Sequence, residues 1–373
     1  MKKKILLFAI CTIVLISSSA CFPTGENNDV ITSTGQTVSP KHIKRELGEN
    51  LSVDADINVS ENVKWKEYNA ELKNFSEKEL NVSFLNDKEI SKQIESPSIY
   101  SKDKAISYEF SDNTYLSVQS GYLYYTHPQY DKGYYSVAIS DRSVGNIRPD
   151  IAEVYTKSSL EGIDKEESIE QVRGILNSLE ISVFNQPQAY SLDYETLMSE
   201  WVDFTLPNGM PAEPWTREDE AYVIFFTAMA DNLNISDLSY SDSQKQVIVP
   251  GSQIYAIVSK NGIICLSIQG IYSINNTSDD REIISSESAL EIVNTKYSNI
   301  ILTDKVLISR ISAELVSICE NADQYKYKLV PAWVFTLSQT FTSNDIKGEH
   351  TRVVNFKVVI NAITGSEMRL GGA

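Results

Sequence analysis

Apolar and polar residues alternate from Leu51 to Ser60, with Leu51, Val53, Ala55, Ile57 and Val59 in one set and Ser52, Asp54, Asp56, Asn58 and Ser60 in the other. A period of two places the first set on the buried face of a strand. Similar runs predict strands at 63–72, 105–110, 115–120, 122–126 and 134–139, while the segment 76–94 reads as a helix. Past residue 149 the period changes. Asp164 with Glu167 three positions on has the form of an N-terminal capping box, and Ile169, Val172, Ile175, Leu176 and Leu179 share one helical face. Thr216 and Asp219 offer a similar start to a second helix over 217–233, and a third is predicted over 286–297, with Ala289, Ile292, Val293 and Tyr297 on one stripe.

Between these helices lie strands at 246–260 and 263–274, joined by Asn261-Gly262, a dipeptide favoured in type I′ hairpin turns. Three more strands follow the third helix, at 306–319, 325–341 and 352–363. Helix followed by antiparallel strands therefore occurs twice. This order predicts an α+β fold of antiparallel sheets each packed by a helix, with a mainly β region over 51–160 and an α+β region over 161–373. Glu167-Ser168-Ile169 with Val172 is echoed 120 positions later by Glu287-Ser288-Ala289 with Ile292, a likeness too short to establish duplication.

The first 20 residues stand apart from this pattern. Lys2, Lys3 and Lys4 precede an apolar run from Ile5 to Ile16, then the small residues Ser17 to Ala20. A membrane-spanning helix takes roughly 20 apolar residues, so this shorter run suits a cleaved signal peptide. Ser18-Ser19-Ala20-Cys21 resembles the lipobox of bacterial lipoproteins, with Ser18 where leucine is commonest. The resemblance implies a diacylglyceryl group on Cys21 and a protein held at the extracytoplasmic face of the cell membrane. Residues 21–50 are polar and rich in Gly, Ser, Thr, Asn and Pro, the composition of a flexible tether.

Charge narrows the partners. The leader carries three of the 33 basic side chains and none of the 50 acidic ones, so a chain starting at Cys21 has a net charge of about −20. Such a surface repels nucleic acid and anionic polymers, and no nucleic-acid partner is expected. Cys265 and Cys319 could form one disulfide in an oxidising compartment or serve as two small core residues. His42, His127 and His350 are widely separated, so neither a metal site nor a cofactor is expected.

The C-terminal hundred residues carry a recognisable order. Ser286-Glu287-Ser288-Ala289-Leu290 opens a helix, followed by Leu329-Val330-Pro331-Ala332-Trp333-Val334-Phe335 and then Val358-Val359-Ile360-Asn361-Ala362-Ile363-Thr364-Gly365. This resembles the PepSY-type and YycH/YycI-type extracytoplasmic domains, where a helix packs on an antiparallel sheet. From about residue 51 onward the chain also resembles uncharacterised clostridial-type lipoproteins, a likeness that implies no activity. The PepSY-type resemblance implies binding to proteins, as a protease inhibitor or a modulator of sensor kinases. Read physically, Pro331 belongs at a strand start or edge, Trp333 and Phe335 share a core face, and Asn361 and Gly365 suit a turn with positive φ.

Motifs for catalysis are fragmentary. Asp54-x-Asp56-x-Asn58 begins like a calcium loop, but Val59 stands where glycine is required and Trp65 where the bidentate glutamate belongs. Ser101 and Lys104 have the S-x-x-K spacing of serine acyl enzymes without the accompanying elements. Glu218, Asp219 and Glu220 complement the dipole of a helix start. A carboxylate pair assembled from distant positions would leave no local trace, so an envelope hydrolase stays open as an alternative. The run Tyr122, Tyr124, Tyr125, Tyr130, Tyr134 and Tyr135, with Tyr115 before it, is the candidate interaction surface, suited to a carbohydrate, a peptide or a protein. The expected function is a non-enzymatic, lipid-anchored binding or regulatory protein whose partners are the lipid membrane, through Cys21, and another envelope protein.

Overall fold

The computed structural model describes residues 42–59, 63–86, 88–98, 100–133, 135–140, 148, 150–201, 213–300, 302–345 and 348–370. The leader, Cys21, residues 22–41 of the expected tether, and Tyr134 lie outside the described residues. The end of that expected tether is corrected: His42–Glu46 form a strand hydrogen-bonded to Leu51–Asn58, with Ile43 buried, so the folded part begins before residue 50.

The described chain opens with β1 (His42–Glu46), β2 (Leu51–Asn58) and β3 (Tyr68–Leu72), then a short helix α1 (Glu77–Leu80) that runs into a π-helical turn (Asn81–Leu85). A meander follows: β4 (Ile90–Pro97), β5 (Lys104–Phe110), β6 (Tyr115–Gln119) and β7 (Tyr122–Thr126). Helices α2 (Pro128–Gly133), α3 (Tyr135–Ile139), α4 (Ile151–Val154) and α5 (Lys165–Ser178) precede β8 (Gln188–Leu192) and α6 (Tyr194–Ser199). A 3₁₀ turn (Arg217–Asp219) leads into β9 (Ala221–Phe226), β10 (Met229–Ala230), β11 (Leu233–Ile235), β12 (Tyr240–Asp242) and β13 (Val247–Val249). Next come β14 (Gln253–Ser259), β15 (Gly262–Gln269), β16 (Tyr272–Thr277) and α7 (Ser286–Ser298). Three long strands finish the fold: β17 (Val306–Asn321), β18 (Lys326–Asp345) and β19 (Gly348–Asn361).

The fold is α+β. One sheet has eight antiparallel strands in the order β4-β5-β6-β7-β15-β14-β9-β8. A second has nine and is built around the β17–β18 hairpin, with the path β1-β2-β17-β18-β3-β16, with β11 (itself paired with β10) joined to β17 and β19 to β18. Two of its pairings, β2 and β11 with β17, are parallel. Strands β12 and β13 pair as a small third sheet. Both larger sheets take strands from either side of residue 160, so their make-up does not follow the division suggested by the change of period there.

The sheets meet where β15 passes into β16 at Gly270, whose φ of +65° suits glycine. A Cβ at this position would stand 2.1 Å from the carbonyl oxygen of Gly251. Gly121 N–H donates to Lys73 O at 2.7 Å and Ile271 N–H to Gly121 O at 3.2 Å, tying β3 and the β6–β7 turn to the same corner. One continuous core runs beneath both sheets. Helix α5 contributes Val172 and Leu176 and its C-cap residue is Leu179, all fully buried, each worth about 1.5–3 kcal/mol of apolar burial. Its N-terminus is capped by Asp164 Oδ1, which accepts from Glu167 N–H at 2.8 Å, the first half of the expected capping box. Helix α7 spans the predicted segment, and Trp333 Nε1 donates to Ile284 O at 2.9 Å just ahead of it.

Several expectations are corrected. The predicted strand at 134–139 is helix α3, because Tyr135, Ala138 and Ile139 fall at helical spacing and all three are buried. The predicted helix over 217–233 is a single 3₁₀ turn followed by β9, β10 and β11. The Asp219 carboxylate does accept from the Thr216 amide at 2.8 Å, but Ala221–Phe226 then enters the sheet between β8 and β14 as an almost wholly buried strand. Of the predicted helix over 76–94 only residues 77–85 are helical; Ile90 and Ile94 are exposed on edge strand β4, whose backbone bonds to β5.

The hairpin around residues 261–262 is present, with only Gly262 of that pair at positive φ, so the turn is not type I′. Pro331 is neither a strand start nor an edge residue. It stands inside β18 where the lateral partner changes from β3, last paired at Leu329, to β19, first paired at Ala332. A residue without an N–H fits that gap.

Candidate functional site

The tyrosine-rich segment is divided among three environments. Tyr130 and Tyr135 are buried, their rings 6.1 Å apart and nearly parallel, and Tyr135 also packs on Trp215 at 5.1 Å and donates to Asp219 O at 2.7 Å. Tyr125 turns to the inner side of β7, 5.5 Å from Phe84 and 5.9 Å below the Lys88 amine. Tyr115, Tyr122 and Tyr124 remain half-buried on the outer side of the eight-stranded sheet.

That outer side is set by strand alternation. In β6, Leu116 and Val118 point to the core while Tyr115, Ser117 and Gln119 face outward; in β15, Leu266 and Ile268 are buried while Ser267 and Gln269 are not. In β14, Ile254 and Ala256 flank the outward Tyr255. Register joins these positions into a row across six strands: Ser107, Ser117, Tyr124, Ser267, Tyr255 and Phe225. A second row, Gln119, Tyr122, Gln269 and Gln253, lies beside it. On the other flank Thr126, Cys265, Ile257 and Val223 are buried, the last three in a cluster with Tyr130, Tyr135, Leu197 and Trp215. The helices thus cover one end of the face, and Tyr124, Tyr255 and Phe225 of the first row pack partly against that cluster, while among the described residues the second row lies beyond it.

The side chains of the open rows are linked by hydroxyl groups and rings. Tyr115 Oη donates to Ser107 Oγ at 3.0 Å, and Ser107 Oγ donates to Ser117 Oγ at 3.1 Å. Tyr130 shares hydrogen bonds with Tyr124 and Tyr255, and Tyr255 with Ser267. Tyr190, Phe225 and Tyr255 form a contiguous aromatic strip with successive centroids 6.1 Å apart. Burial pushes the Tyr122 and Tyr255 hydroxyls up, reinforced by neighbouring tyrosines and Cys265, so both stay protonated and neutral. None of the ten row residues is charged; Glu109, paired with Lys92 at 3.3 Å, marks the border at β5. The face offers ring stacking together with donors and acceptors in equal measure.

The remaining candidates resolve into structural roles. Lys104 pairs with Glu95, whereas Ser101 Oγ accepts from Ser120 Oγ at 2.8 Å, so the S-x-x-K residues do not form a dyad. Both border an open hollow of about 400 Å³ at the β4–β5 turn. Asp54, Asp56 and Asn58 share the solvent side of β2, where His42 contacts Asp54 at 3.1 Å and Asp56 at 2.8 Å. Among the described residues the buried acids are Asp193, Glu220 and Glu314. Asp193 accepts from Thr196 N–H and Glu220 from Tyr194 N–H at the start of α6, while Ser312 Oγ donates to Glu314. Cys265 and Cys319 are buried in different sheets and form no disulfide. Asn361 Oδ1 accepts from Ile363 and Thr364 N–H, both at 2.9 Å, closing the turn in which Gly365 has φ +70°.

Tyr255, Phe225, Ser267 and Tyr190 escaped the sequence reading. For Tyr255 and Ser267 a signal was present in the alternation with the aliphatic positions of 253–269, whereas only register connects them, and Phe225, to Tyr124.

No family model and no curated protein matches the chain. The crystal structure of an uncharacterized protein from Eubacterium rectale ATCC 33656 is similar in fold, with a TM-score of 0.69 at 18% sequence identity, covering 89% of this chain and 94% of that one.

Proposed function

We propose that the protein is a non-enzymatic binding protein of the cell envelope, anchored on the extracytoplasmic face of the membrane by lipid on Cys21, and that the half-exposed outer face of the eight-stranded sheet is its binding surface. The observation that carries this reading is the uncharged pair of rows running from Ser107 to Phe225 and from Gln119 to Gln253, in a chain with 22% charged residues. Half-buried tyrosines already pinned in place lose little conformational entropy on contact, which favours binding. Lipid on Cys21 would confine encounters to envelope components, the protein partner expected from the sequence among them.

The anchor and the face are tested separately. Cys21→Ser should move the protein out of the membrane fraction or leave it unprocessed, and unchanged labelling with a radioactive fatty acid would defeat the anchor. The soluble mature Cys21→Ser chain should be retained on isolated envelopes, and Tyr124→Ala with Tyr255→Ala should weaken retention about tenfold. Equal retention of both forms would remove the face from the reading.

A further inference from the structure

Strand β19 closes the nine-stranded sheet on one side, and we infer that its free edge is where two copies of the protein join, pairing antiparallel about a two-fold axis at Val353. β19 bonds to β18 along one side. On the other, among the described residues, only the segment 366–368 reaches its backbone: Met368 N–H donates to Val359 O at 2.8 Å and Asn361 N–H to Ser366 O at 2.9 Å. These bonds also fix which way the backbone faces. Register with β18 is unbroken from Asn361 to Gly348, and backbone groups alternate in direction along a strand. The N–H and C=O groups of Val353, Asn355 and Lys357, and of residues 349 and 351, therefore point away from β18, as those of Val359 and Asn361 do.

The other sheet ends are guarded. β1 and β8 are five residues long, β4 breaks register after Ile90 and ends in Pro97, and β16 shifts between Ile274 and Asn276. Short strands, bulges and proline are the usual means by which an edge avoids another strand. β19 runs for 14 residues without a bulge or a proline. It is also thinly supported. β17 begins at Val306, opposite Gln339, so beyond that point β18 and β19 form a two-stranded ribbon on which Phe341 and Val353 are exposed, Val353 by 56%. Such a ribbon is marginal alone in water, and a second ribbon beside it makes four strands.

Symmetry selects a second copy as the occupant. The free stretch runs from Gly348, where β19 begins, to Val358, the last residue before the edge is taken, and Val353 is its midpoint. A two-fold axis there pairs the whole free edge and nothing beyond it. The sequence matches the same centre: Glu349 and Lys357 are equidistant from Val353, as are Thr351 and Asn355. Antiparallel pairing thus sets an acidic position opposite a basic one twice, once on either side of the axis. Lys357, which reaches Asp237 at 2.5 Å within its own chain, would then stand between two acidic residues. An interface between identical copies requires this self-complementarity, whereas an unrelated extended peptide has no reason to match it.

Sedimentation equilibrium of the mature Cys21→Ser chain should show a reversible equilibrium between monomer and dimer. Val353→Lys, which sets like charges face to face at the axis, should raise the dissociation constant about tenfold or more. Under oxidised glutathione, Val353→Cys should give a disulfide-linked dimer, because directly opposed residues stand roughly 5.5 Å apart at Cα, within disulfide range. Asn355→Cys, two residues from the axis in each copy, should not cross-link at the same concentration. Circular dichroism of each variant separates lost pairing from lost folding. A monomer at every concentration would overturn the inference, as would a dimer that is indifferent to Val353→Lys or cross-links equally through both cysteine variants. A monomer whose retention on isolated envelopes falls with Val353→Lys would also overturn it, and would assign the edge to an extended segment of another protein.

Discussion

Two positions show how much one residue carries. Gly270 combines a left-handed backbone with an approach to Gly251 that leaves no space for a side chain. Gly270→Ala adds a backbone clash at 2.1 Å to the strain of positive φ and should cost several kcal/mol, read as a lower midpoint in urea unfolding. Asp112 is an electrostatic case. Burial works against its ionisation, but the Lys88 amine at 2.8 Å and the Thr114 hydroxyl and amide outweigh it and hold the carboxyl down at about 2. A value depressed in the folded state stabilises the protein above the unfolded pKa of roughly 3.9, and the benefit is lost as pH falls through about 2. With 53% of the side chain exposed, solvent screening keeps the contribution near or below about 1 kcal/mol. Asp112→Asn should therefore flatten the acid limb of stability between those values, and an unchanged limb in chemical unfolding series would refute the assignment.

At the scale of elements, the central question is what each segment finds as a neighbour. The β17–β18 hairpin is the spine of the nine-stranded sheet, and Trp333 locks the segment leading into α7 to it through Ile284 O while its ring lies 5.7 Å from Trp65. Trp333→Phe removes that donor, leaves the Ile284 carbonyl without it, and opens a void, for a loss of roughly 2–4 kcal/mol. Differential scanning calorimetry measures it directly. Helix α5 and helix α7 were legible because their apolar stripes recur at three and four residues over more than ten positions. Segment 134–139 was misread because six residues of tyrosine, serine, valine, alanine and isoleucine satisfy either period. Segment 221–226 was misread because a strand buried on both faces shows no alternation at all.

At the scale of the molecule, the two sheets cannot be separated along the chain. β17 is flanked by β2, β18 lies beside β3, and β15 pairs with β7, so each half of the sequence supplies neighbours that the other half requires. A fragment of residues 161–373 should consequently fail to fold, with poor amide dispersion in NMR spectra, whereas a well-dispersed spectrum would show the second half to be autonomous. The same interleaving builds the candidate face. Tyr124 comes from the first half and Tyr255 from the second, and only pairing with β15 brings them to either side of Ser267.

The sequence by itself determined the α+β class, the α5 and α7 helices, the long terminal strands and most of the hairpins, since these depend on periodicity and capping within a dozen residues. It also located Tyr115, Tyr122 and Tyr124 on the outer face of the eight-stranded sheet. Tertiary structure alone decided which strands are neighbours, which tyrosines are buried, and how Ser107, Ser117, Tyr124, Ser267, Tyr255 and Phe225 become one row. The physical reason is that strand pairing satisfies backbone hydrogen bonds between segments far apart in the chain. Local pattern specifies that a strand has an inner and an outer side, but not what will stand beside it.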